Sequence, residues 1–175
     1  MTRRGQLVLL AAAALALALV PMALAHLQLG YDHDVHSATV DDQILTDTER
    51  TLQRALDDAA APIPQQYDWS RRTAAVTAVR SRLHGTLATL NTSRLAAGTV
   101  LQVSYDRSRA RAWAGTQCPD GSARQFGPCR ADRGVVVQER AGETHVPAVA
   151  FEIRVTTPRG DWRSVSVVRT IGNEN

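Results

Sequence analysis

Lysine is absent: all 20 basic side chains of this 175-residue chain are arginine, which reads as the coding bias of a GC-rich genome and points to no mechanism. A charge excess of either sign is also lacking. Arg3 and Arg4 precede the first apolar run and all 17 acidic residues follow it, so 18 arginines beyond residue 25 face 17 carboxylates. A net charge of about +1 leaves no electrostatic footprint for nucleic acid, and none is expected as a partner. Cysteine is scarce, with Cys118 and Cys129 alone. Their spacing is not CxxC and no second pair exists, which argues against zinc and dithiol redox frameworks. No serine stands in GxSxG, and there is neither a glycine-rich phosphate loop nor HExxH. His84 and His145 lie far from each other and from any recognisable nucleophile. No catalytic residue and no cofactor is expected, and the chain is not read as an enzyme.

What the chain does have is a long apolar run. Leu7 to Ala25 contains nineteen residues without a charge, enough as a helix to span roughly 28 Å, about the thickness of a bilayer's hydrocarbon core. Arg3 and Arg4 hold the N-terminus on the cytoplasmic side, so the bulk of the chain faces out. The expected organisation is a positively charged n-region over 1–6, a transmembrane helix or signal core over 7–25, a polar stalk over 26–46 and an extracytoplasmic domain over 47–175.

Two processing readings stay open. Small residues at Ala23 and Ala25 suit a signal peptidase cut before His26, which would release the domain. Alternatively, Arg4-Gly5-Gln6 directly before the apolar stretch is a prepilin-type site cut between Gly5 and Gln6, and the helix is retained. An alanine-rich helix suits lateral packing in lipid, because small side chains let neighbouring helices approach closely. Pro21 fits either outcome, preceding a cleavage site or kinking a retained helix.

The stretch Arg4-Gly5-Gln6-Leu7-Val8-Leu9-Leu10, the alanine-rich run, and His26-Leu27-Gln28-Leu29-Gly30-Tyr31 resemble the start of an uncharacterised family of haloarchaeal pilin-like membrane proteins. Leu10, fifth after the proposed cut, stands where bacterial pilins carry Glu. The resemblance implies a single-pass subunit or minor component of a type IV pilus-like assembly at the cell membrane or in a surface filament. Its implied partners are other pilin-like subunits, a prepilin peptidase, and an assembly ATPase with its membrane platform. The competing reading is a secreted or anchored extracytoplasmic binding domain with a cleaved signal peptide. An extracytoplasmic hydrolase is a third reading without a motif behind it.

Beyond the stalk, helices come first. Thr46-Asp47-Thr48-Glu49 has capping-box spacing, and Leu45, Leu52, Leu56 and Ala59 supply a helical stripe that Pro62 and Pro64 stop. Asp68 or Ser70 caps the next helix, with Val76, Val79, Leu83, Leu87 and Leu90 on one face, ending near Ala97-Gly98. The period then becomes twofold. Leu101, Val103 and Tyr105 mark a strand, Arg109 to Ala114 its returning partner, and Gly134 to Glu139 a third. Val149, Phe151, Ile153 and Val155 share one face of a further strand. Val165, Val167 and Ile171 repeat the alternation, predicting Val155 opposite Val165 and Ile153 opposite Val167 across the Pro158–Asp161 turn. The fold class is α+β, a four- to five-stranded antiparallel sheet with helices on one face, the order of a pilin head domain.

Cys118 and Cys129 bracket CPDGSARQFGPC, a loop composition, and are expected to form a disulfide worth roughly 2–3 kcal/mol. His33 and His36, three apart and near Asp32, Asp34, Asp41 and Asp42, are weak metal candidates against the plainer reading of wet juxtamembrane sequence. Trp69, Trp113 and Trp162 read as core anchors or strand packing, and Arg159-Gly160-Asp161 as a hairpin turn.

Overall fold

The computed structural model describes residues 43–95, 98–119, 126–158 and 160–171. The chain divides into two units, Met1–Ile44 and Leu45–Asn175, and the architecture below is that of the second. Elements follow in the order α1 (43–60), α2 (Ile63–Gln66), a 3-10 turn (Trp69–Arg71), α3 (Arg72–Thr92), β1 (Arg94–Leu95), β2 (Thr99–Tyr105), α4 (Arg107–Thr116), β3 (Arg130–Asp132), β4 (Val135–Arg140), β5 (Glu143–Thr157) and β6 (Gly160–Arg169). Among the described residues no helix is long and apolar enough to cross a membrane. The run 7–25 lies outside those residues.

The expected α+β class holds: α1, α2 and α3 precede an antiparallel sheet, with α4 inserted between β2 and β3. Among the described residues the sheet has six strands, five of them longer than two residues, ordered β1-β2-β5-β4-β3 with β6 on the other edge of β5. The fifteen residues of β5 let one edge serve two partners. Its N-terminal half pairs with β4 and its C-terminal half with β2, while β6 runs along the opposite edge from 148 to 157. The alternation expected for β5 is present. Val149, Phe151, Ile153 and Val155 are buried on one face with Leu101 and Val103 of β2.

That face is covered by helix. Leu52, Leu56 and Ala59 of α1 and Val76, Val79, Leu83 and Leu87 of α3 are buried, and the Arg80 guanidinium lies 3.8 Å from the centre of the Tyr105 ring, which itself stands 5.3 Å from Phe151. Burying side chains of this size contributes about 1.5–3 kcal/mol each. Gln53 and Asp57 tie α1 to the end of the sheet. The Gln53 amide donates to the Arg169 carbonyl at 2.6 Å, and the Ile171 N–H donates to Asp57 Oδ1 at 2.9 Å.

Four expectations are corrected. Arg109 to Ala114 is not a strand but the body of α4. Asp106 stays extended and its carboxylate accepts from the N–H groups of Ser108 and Arg109, starting a helix whose Ala110 and Trp113 share one face. Because α4 packs Ala110 and Trp113 against Val136, Ala148 and Ala150, residues of the opposite parity to Phe151, the sheet carries helix on both faces rather than one.

The β5–β6 register also differs. Val155 faces Trp162, Ile153 faces Ser164, and Val165 faces Glu152. The connection is two residues long, with Thr157 paired to Gly160, and this short loop moves the partners by three positions. The odd shift turns Val165 and Val167 to the face opposite Phe151. Finally, both helix ends move. Residues are helical from 43, so Thr46 lies inside α1, and Thr48, expected within the cap, is buried. The apolar row simply continues one turn upstream. α3 stops at Thr92 because Ser93 turns extended and its N–H and hydroxyl satisfy the Thr89 carbonyl, freeing Arg94–Leu95 to pair with β2.

Candidate functional site

Several of the residues singled out from the sequence fall outside the described chain: Gly5 and Gln6, the alternative pair Ala25 and His26, and the weak metal candidates His33 and His36. Cys118 and Cys129 fall within it and form a disulfide, with Cα atoms 5.6 Å apart. The bond joins the end of α4 to the entry of β3, and Cys129 packs on the Ala110–Trp113 cluster.

Gln138 organises the ground beneath this loop, a role the sequence did not reveal. It is fully buried in β4, and its amide nitrogen lies 2.7 Å from the Pro119 carbonyl, 2.9 Å from that of Gly127 and 3.3 Å from Cys118 Sγ. Its Oε1 accepts from Arg140 Nε at 3.0 Å. Arg140 in turn places its guanidinium 4.2 Å from the centre of the Phe126 ring, and the Gly127 N–H donates to the Glu139 carbonyl. Both walls of the disulfide loop are thus held by one strand. The missed signal was a polar residue inside a Val-rich strand, where a buried amide must be fully bonded.

A cleft of about 220 Å³ is lined by Arg72, Thr73 and Val76 of α3 and by Arg130, Ala131, Asp132 and Val137 of β3 and β4. Local sequence explains the walls. Arg133 and Gly134 make a two-residue turn, both at positive φ, between Asp132 and Val135, the geometry a tight hairpin requires. Arg133 donates to Asp132 Oδ2, to the Thr73 carbonyl and to Thr77 Oγ1, and its own carbonyl accepts from Arg80 at 2.6 Å. Those bonds fasten the β3–β4 turn to α3 and set the width of the cleft.

At the cleft, Arg72 is held by the Trp69 carbonyl at 3.2 Å and lies 5.0 Å from the centre of the Trp69 ring, while Arg130 is exposed. Two guanidiniums over an apolar floor of Val76 and Val137 can take a small carboxylate or phosphate group, with Asp132 as a competing acceptor. Behind the turn, burial pushes the Tyr105 phenol above its ordinary pKa, opposed by the Arg80 charge.

Among the described residues no group of three or more His, Cys, Asp or Glu could hold a metal ion. His84 is exposed on α3, and His145 lies on β5, 3.7 Å from Glu143. Trp113 is a core anchor as expected, whereas Trp162 is 54% exposed. No curated protein and no solved structure matches the chain. Residues 1–169 match DUF7261, a family of unknown function, and the chain belongs to that family.

Proposed function

We propose that this chain is a pilin-like, membrane-anchored surface protein, a subunit or minor component of a type IV pilus-like assembly, with residues 7–25 retained as the assembly helix. The observation that carries this reading is α1. The helix immediately downstream of the N-terminal region is a structural member of the domain, with Leu52, Leu56 and Ala59 in the core and Gln53 and Asp57 bonded to the end of the sheet. A pilin likewise follows its N-terminal segment with a head domain in which helix packs on an antiparallel sheet. The disulfide agrees with an extracytoplasmic location, and the reading includes no catalysis.

Mass spectrometry of the mature N-terminus tests it. A product beginning at Gln6 is expected, and one beginning at His26 overturns the reading in favour of a released domain. The cleft between Arg72 and Arg130 favours a second reading, an exported domain that binds an anionic group.

A further inference from the structure

Among the described residues nothing pairs with the outer edge of β6, the edge away from β5. Which groups this edge presents follows from the ladder. The Thr170 N–H donates to the Pro147 carbonyl, and Thr157 and Gly160 close the hairpin. Hydrogen-bonded pairs alternate in an antiparallel ladder, so the even-numbered residues of β6 bond to β5. Asp161, Arg163, Val165, Val167 and Arg169 therefore turn their N–H and C=O groups outward, and of these the Arg169 carbonyl already accepts from Gln53. The strand keeps ten consecutive register pairs without a bulge and contains no proline, so it lacks two common devices that stop edges from pairing. It also exposes one large apolar side chain on each face, Val165 at 40% and Trp162 at 54%.

We propose that this edge pairs antiparallel with β6 of a second copy of the chain, about a two-fold axis at Val165, joining two sheets into one. Charge complementarity selects the occupant. A two-fold axis perpendicular to the sheet keeps each face continuous with itself, so odd-numbered residues meet odd and even meet even. Centred on Val165, the pairing sets Asp161 opposite Arg169 of the second copy at both ends, Val165 opposite Val165 and Arg163 opposite Val167. On the other face Trp162 meets Val168, and Ser164 meets Ser166. Centred on Ser166, Arg163 would face Arg169 twice; centred on Ser164, Asp161 would face Val167 and no opposite charges would meet. Cross-strand pairs discriminate at this level, and one register alone of these three satisfies both charge and apolar pairing. The contact is isologous and closes at two copies. It goes beyond the pilus reading and stands whether or not the N-terminal helix is retained.

The test uses the full-length protein in detergent. Val165→Cys, oxidised with copper phenanthroline, is expected to give a disulfide-linked dimer, since hydrogen-bonded antiparallel pairs place Cα atoms about 5.5 Å apart. Ser164→Cys alone is expected to cross-link far less, whereas a mixture of Ser164→Cys and Ser166→Cys chains cross-links readily. The wild-type chain is the control. Without any new cysteine, Asp161→Arg is expected to weaken association on the order of tenfold in sedimentation analysis, and adding Arg169→Asp to restore it. A Val165→Cys protein that stays monomeric, Ser164→Cys cross-linking as well as Val165→Cys, or a double charge exchange that fails to restore the dimer each overturns the proposal.

Discussion

Asn91 substitutes for a neighbouring strand at Val103. The Val103 N–H donates to Asn91 Oδ1 at 2.6 Å, and Asn91 Nδ2 donates to the Val103 carbonyl at 3.2 Å. β1 covers this edge of β2 only opposite Thr99 and Val100, so the last turn of α3 supplies what a longer strand would have supplied. A buried backbone pair without it would lose both bonds. Asn91→Ala is therefore expected to destabilise the domain by about 2 kcal/mol. Asn91→Asp, which keeps the acceptor and loses the donor, should fall between the two in urea denaturation.

The hairpin turns make opposite demands. Gly134 sits at φ +90°, and a Cβ there would stand 2.8 Å from Cβ of Tyr105. Gly134→Ala is expected to cost more than about 2 kcal/mol, and combining it with Tyr105→Ala should recover part of that loss as a negative coupling energy.

Ala141, at φ 53° before Gly142 in the β4–β5 turn, holds a conformation that Asn adopts more easily. Ala141→Asn is expected to stabilise by about 0.5–1 kcal/mol, read as a raised melting temperature.

Asp106 links stability to pH. Its carboxyl is held below the ordinary carboxylate range, first by the Ser108 hydroxyl and then by the Arg109 N–H. A depressed folded-state pKa contributes stability above the unfolded value, about 3.9, that disappears as pH falls through the folded one. Asp106→Ala should cost about 1 kcal/mol at pH 7. The gap between variant and wild type should narrow as denaturation is repeated below pH 3, and a gap that does not change with pH would contradict the role of the charge.

The disulfide should behave as a staple of moderate strength. Replacing Cys118 and Cys129 together by Ser is expected to lower stability by about 2–3 kcal/mol. With Gln138 still bonding Pro119 and Gly127, the loop walls should keep their hydrogen-exchange protection in the variant.

Local pattern was legible where one face of one element decided the outcome. The stripe Val76, Val79, Leu83 and Leu87 and the alternation Val149 to Val155 each record a single buried surface, and periodicity alone identifies such surfaces. The two cysteines around a Gly- and Pro-rich loop predicted their own bond. Arg107–Thr116 misled because its alternation of Arg and small residues has the twofold period of a strand, and the deciding feature was a single capping aspartate.

The candidate cleft was not legible at all. Arg72 and Arg130 are far apart in sequence and line one cleft only because the Arg133–Gly134 turn docks on α3. Gln138 and Asn91 are likewise ordinary polar residues until the backbone groups they satisfy are brought to them.

The sequence by itself determined the leading helices, the apolar N-terminal run, the core face of β5 and the cysteine pair, since each depends on neighbours within a few positions. Tertiary structure alone decided the β5–β6 register, the helix on the second sheet face and the cleft. A two-residue loop shifted the pairing, and packing between residues distant in the chain rewarded contacts that no local period records.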